Sequence, residues 1–158
     1  MKHIWSVLCQ RSIIDRSSNT VSLIDVLEQL NINVSPEQVA KKSDEGIVIQ
    51  INFDIVSFWT KDSNETKPAN FEVVVEFNDP DGKKLRSFNK SVEVAENYQR
   101  IRTQIRVPNL QVFQAGTHSI RIRIKEGEQK RESQVVAELP LEIKFAFPAK
   151  EAKNSKLG

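Results

Sequence analysis

Six cations alternate with apolar or hydroxyl residues in two separate runs. Arg100, Arg102 and Arg106 interleave with Ile101, Thr103 and Ile105; Arg121, Arg123 and Lys125 interleave with Ile120, Ile122 and Ile124. In an extended strand successive side chains point to opposite faces, so each cationic set falls on one face of its strand. If the two strands pair, all six cations share one surface, able to take phosphates or an acidic partner. The competing reading is a solvated face on which Glu138 and Glu142, alternating outward on a later strand, pair with the arginines. Tyr98 is the one aromatic near these cations, which argues against the stacking platforms of single-strand nucleic-acid binders.

Other reactive side chains are dispersed. The two histidines, His3 and His118, and the single cysteine, Cys9, lack the close pairing that zinc sites require. His118, near the start of a strand, reads as a solvated or capping side chain. Asp79-Pro-Asp81 sets two carboxylates two positions apart, a spacing that loop calcium sites use, but aspartates beside proline and glycine are first of all turn formers. No Gly-x-Ser-x-Gly, glycine-rich phosphate loop or His-Glu-x-x-His occurs. The reading is therefore of no catalytic site, no metal and no cofactor. Trp5 and Trp59 both sit in apolar runs, which assigns them to the core, whereas an exposed Trp would mark a ligand or partner surface.

These residues need strands to position them, and the chain is full of strand patterns. Ile47-Val-Ile-Gln-Ile-Asn-Phe-Asp-Ile, Phe71-Glu-Val-Val-Val-Glu-Phe, Ile120-Arg-Ile-Arg-Ile-Lys and Leu139-Pro-Leu-Glu-Ile-Lys-Phe place apolar residues at every second position. Further strands are expected over 4–10, 20–27, 84–94 and 98–107. Asn78-Asp-Pro-Asp-Gly marks a hairpin, since Pro presets one turn dihedral and Gly supplies a positive one. The segment 28–44 interrupts the pattern. Within it Ser35-Pro-Glu-Gln has a capping residue, a proline at the first helical position and a glutamine three after the cap, which predicts a short helical excursion near 36–41. A bulge or twist is expected near Ser57, where Val56, Phe58 and Trp59 break the alternation. Ile49, Ile51, Phe53, Val73, Val75, Ile122, Leu141 and Ile143 are the expected core.

The fold class that follows is all-β, an antiparallel β-sandwich of about eight strands. Residues 1–147 form one domain, and residues 148–158 a flexible tail. A length of 158 and eight Phe suffice for a core without disulfides. A net charge of +2, with both signs mixed throughout, argues against a dedicated nucleic-acid binder. No run approaches the ~18 apolar residues of a membrane span. A lone cysteine and no signal-like segment point to the cytoplasm.

Ser6-Val-Leu-Cys-Gln, then Val21-Ser-Leu-Ile-Asp-Val-Leu, and later Ala115-Gly-Thr-His-Ser-Ile-Arg-Ile-Arg-Ile, together resemble an uncharacterised bacterial family of immunoglobulin-like β-sandwich domains. The resemblance implies a sandwich in an intracellular bacterial setting and transfers no catalytic residue. The expected function is a non-enzymatic binding or assembly module, whose partner is another protein or a second copy, with no membrane insertion. The alternative is a module for a small ligand, a sugar or an anion. The candidate partner surface is Arg100, Arg102, Arg106, Arg121, Arg123 and Lys125.

Overall fold

The computed structural model describes residues 1–15, 17–18, 20–35, 46–61, 67–126 and 133–147. Within them the alternating runs form nine strands: β1 (Lys2–Asp15), β2 (Thr20–Val26), β3 (Gln29–Asn33), β4 (Ile47–Thr60), β5 (Ala69–Asn78), β6 (Lys84–Val94), β7 (Arg100–Val112), β8 (Gly116–Glu126) and β9 (Gln134–Ala146). They build two sheets. Sheet A has the order β2-β1-β4-β7, and sheet B the order β3-β9-β8-β5-β6. The fold is the expected all-β sandwich. The helical turn at 36–41 and the tail at 148–158 lie outside the described residues.

β3 is the strand the alternation did not predict. Leu30 and Ile32 face the core two positions apart, and the strand pairs in parallel with β9, Leu30 beside Ile143. The remaining pairings are antiparallel.

The core fills the space between the sheets. From sheet A come Leu8, Phe53, Ile55, Trp59, Val107 and Leu110; from sheet B come Val73, Val75, Phe77, Ile122, Leu141 and Ile143. Phe53 meets Phe77 across the gap, edge to face, with centroids 5.9 Å apart. Ile49 and Ile51 pack against this cluster while remaining partly exposed. The Trp59 indole N–H is satisfied by the Thr103 hydroxyl at 3.0 Å, as a buried aromatic donor must be.

β4 itself keeps its alternation through Ser57, and the irregularity beside it lies in β1, where His3 faces Trp59 and Trp5 faces Phe58. Ile55 and Trp59 point inward, while Val56 lies outside the core cluster. The irregularity in the β4–β7 pairing falls instead between Ile49 and Asn52. Opposite it, Asn109 adopts φ 51° beside Pro108, and β7 continues to Val112.

The sheet edges differ in how they are finished. The outer edge of β7 is occupied by cations from β6: Lys90 donates to the Gln104 carbonyl at 2.9 Å, and Arg86 to those of Pro108 and Asn109 at 3.3 and 3.2 Å. Long cationic side chains on an edge block a further strand. β3 is only five residues long. At the opposite edge of sheet A, β1 pairs with β4 from Lys2 to Cys9. Beyond that point, from Arg11 to Asp15, it pairs with β2 alone among the described residues.

Candidate partner-binding surface

The structure divides the six cations. β7 belongs to sheet A and β8 to sheet B, so Arg100, Arg102 and Arg106 do not share a surface with Arg121, Arg123 and Lys125. The pairing that would unite them does not form, because β5 and β9 flank β8 on both sides. The β8 set is neutralised in place. Arg121 pairs with Glu138 at 3.3 Å, Arg123 with Glu76 at 2.9 Å, and Lys125 with Glu72 at 3.3 Å. The Glu138 contact matches the cross-strand pairing expected from alternation. Glu142 meets Lys144 instead. Arg121, Arg123 and Lys125 are half-buried within this ladder.

The outer face of sheet A has a different character. Register aligns its residues in rows across β1, β4 and β7: Trp5, Phe58 and Arg102; then Val7, Val56 and Gln104; then Cys9, Asp54 and Arg106. In the first row the Trp5 and Phe58 rings lie 5.7 Å apart, and the Arg102 guanidinium sits 5.3 Å from the Phe58 centroid. A cation over an aromatic face is held by the ring quadrupole. Trp5 is half-buried on this outer face, not in the core to which its apolar run assigned it. The register shift between His3 and Trp5 accompanies this placement.

In the third row Asp54 is fully buried. Its Oδ2 accepts from the Ser12 N–H at 2.9 Å, the Ser12 hydroxyl at 2.8 Å and the Gln104 amide at 2.8 Å, while Oδ1 accepts from Arg106 Nε at 3.1 Å. Burial by itself would raise the carboxyl pKa. The hydrogen bonds from Arg106, Ser12 and Gln104 outweigh it and hold the group below its ordinary value. Beside it the Cys9 thiol is pushed up, by burial first and by the Asp54 charge second. One ionised carboxylate thus ties three strands together. Next to this cluster a depression of about 570 Å³ is lined by Gln10, Arg11, Ile24, Asn52 and Arg106.

The remaining candidates lie apart. His3 Nε2 is 2.7 Å from the Ser6 hydroxyl, and its ring stands edge-on to Trp59. His118 belongs to the other sheet and is buried, which excludes the solvated half of the solvated-or-capping expectation. Its Nδ1 lies 3.2 Å from the Gly116 carbonyl, and its Nε2 has no hydrogen-bond partner among the described residues. Burial pushes its pKa down, against smaller upward effects of the Gly116 contact and of Asp79. Asp79 serves the hairpin turn, accepting from the N–H groups of Asp81 and Lys83 at 3.0 and 2.7 Å. Among the described residues no three His, Cys, Asp or Glu side chains gather as a metal site would require.

Sequence reasoning passed over Asp54. Its position in Phe53-Asp-Ile resembles any polar residue on a wet face. The available signal was its placement mid-strand, where aspartate is disfavoured unless a partner compensates.

No protein-family model matches the chain. No curated protein matches it either. Among solved structures it is similar to a β-glucuronidase from glycoside hydrolase family 2, at 19% identity and a TM-score of 0.46, over 65% of this chain and 10% of that one. The chain therefore spans about a tenth of that enzyme's length.

Proposed function

We propose that this chain is a non-enzymatic binding or assembly module that engages a protein partner through the outer face of sheet A. The observation that carries the reading is the row Trp5, Phe58 and Arg102; further along the same sheet, exposed Val26 pairs with Cys9 and exposed Ile24 with Arg11. Aromatic and arginine side chains on a partly apolar surface are the usual anchors of protein interfaces. Among the described residues the salt-bridged outer face of sheet B offers no comparable row. The absence of a catalytic role is part of the proposal, supported by the mutual satisfaction of the polar groups around Asp54. So is membership of the bacterial family that the strand motifs resemble, with a cytoplasmic setting.

The test is affinity capture from the native host with three baits: the parent chain, Trp5→Ala and Arg102→Glu. A partner held by the parent and lost by both folded variants supports the reading. A partner retained by both overturns it.

A second reading, a small-anion module, is favoured by the depression between Arg11 and Arg106. Calorimetric titration with inorganic phosphate and with citrate separates the two. Saturable heat abolished by Arg11→Gln would support anion capture.

A further inference from the structure

We propose that the β1–β2 ribbon is a dimerisation arm, in which β2 of one copy adds antiparallel to β2 of a second copy. This deepens the assembly reading above and rests on it.

The ribbon is under-supported as it stands. From Arg11 to Asp15, β1 has only β2 beside it among the described residues. Two strands alone are marginally stable in water. Ile13 and Ile14 are consecutive and so point to opposite faces, yet they are 45% and 38% exposed. Ile24 and Val26 add 39% and 56% exposure on the partner strand. A strand that is apolar and open on both faces lacks covering on both.

Among the described residues the edge of β2 is open and is also the least defended. β7 is sealed by Arg86 and Lys90, β6 carries Lys84, Arg86 and Lys90 along its length, and β3 is short. The stretch Thr20-Val-Ser-Leu-Ile has neither lysine nor proline, the residues that ordinarily block edge pairing. The ribbon's base is held in place by Ser12, which bonds to Asp54 and to Gln104. An arm fixed before association loses less freedom on binding.

The hydrogen-bonding parity selects a register. The Ser12 N–H donates to Asp54, away from β2. Main-chain direction alternates along antiparallel strands. Leu23, the partner of Ser12, and Val21, the partner of Ile14, therefore turn their N–H and C=O groups to the open edge. Antiparallel pairing centred on Ser22 sets Val21 against Leu23 of the second copy, matching outward groups with outward groups. The same register sets Thr20 against Ile24. Because Asp15 lies beside Thr20 and Arg11 beside Ile24, the two outermost rows across the four strands each run from an acid to a base, and the rows between them carry no charge. No like charges fall in line, which favours a second copy over a foreign strand.

Pairing over five residues buries less than the ~800 Å² per partner of a standard interface, so the dimer is weak and concentration-dependent. The experiment is sedimentation equilibrium of the full chain at rising concentration. Wild type is expected to shift from monomer to dimer. Thr20→Lys with Ile24→Lys opposes two lysines in each row and should weaken the dimer at least tenfold. Thr20→Lys with Ile24→Glu restores opposite charges and should restore association. Phe58→Ala tests the outer face separately and should leave the dimer unchanged. A wild-type monomer at all concentrations overturns the proposal while leaving outer-face partner capture intact. A dimer indifferent to both charge pairs, or one broken by Phe58→Ala, overturns it as well.

Discussion

Ser12 and Asp54 lie 42 positions apart and meet twice, the main-chain N–H and the hydroxyl of Ser12 both donating to one carboxylate oxygen. Replacing Asp54 with Ala removes a charged acceptor from four donor groups. Hydrogen bonds to charged groups contribute about 1.5–3 kcal/mol each when singly removed, and these are shared by one acceptor. A loss of roughly 3 kcal/mol in urea unfolding is expected on that scale. Amide exchange at Ser12 should accelerate in the same variant.

Acid should destabilise the protein in two stages. His118 has a pKa below 6.5 in the folded chain, so the unfolded chain binds the proton more readily. Its contribution is present above pH 6.5 and is lost as pH falls through the folded value. His3 shifts in the same direction, by burial. Asp54, held below 3.8, contributes above that pH and loses its contribution on further acidification. Melting temperature against pH should thus fall first below about 6.5 and again below about 4. His118→Phe, which keeps an aromatic ring, should reduce the first fall, His3 supplying the rest. Asp54→Asn should reduce the second, to which Asp15, held at about 2 by hydrogen bonds from Ser17 and Ser18, also contributes. Unaltered profiles would refute the assignment.

Phe53→Ala should cost roughly 3–5 kcal/mol, the usual penalty for truncating a buried aromatic. Phe53 is fully buried and meets Phe77 at 5.9 Å. A chemical-denaturation loss below about 1 kcal/mol would contradict its place in the core.

Gly46 has φ +65°, and a Cβ added there would stand 2.9 Å from the Phe113 ring. Gly46→Ala should lower stability by about 1–2 kcal/mol through the left-handed conformation alone. Displacing the Phe113 ring would add to that. A thermal melt equal to wild type would show that the chain relaxes there freely.

Much of the sandwich was legible because one-sided burial writes a two-residue period into the sequence. Phe53, Val73, Val75, Ile122, Leu141 and Ile143 follow it and are buried. β3 escaped because five residues give too short a period beside a strong helix-cap motif. The candidate surface was harder to read. Which strands become neighbours is decided by long-range pairing, and alternation along Arg100–Arg106 and Arg121–Lys125 is silent on that. The outward position of Trp5 depends on the register shift at His3, which no local pattern records.

Binding of DNA or RNA should be weak. The cations that would have formed one patch are split between two sheets, and Glu72, Glu76 and Glu138 neutralise the β8 set. Few contacts imply a shallow dependence of affinity on salt. Submicromolar binding at physiological salt, abolished by Arg102→Gln with Arg123→Gln, would contradict this.

The parallel pairing of β3 with β9 has a consequence for the order of events during synthesis. Gln29 reaches its partner Lys144 across 115 positions. At ~5–20 residues per second, roughly ten seconds pass between the emergence of the two strands from a ribosome. Throughout that interval Leu30 and Val34, both buried at the end, have no β9 to cover them. The nascent chain therefore keeps this apolar segment uncovered until β9 arrives.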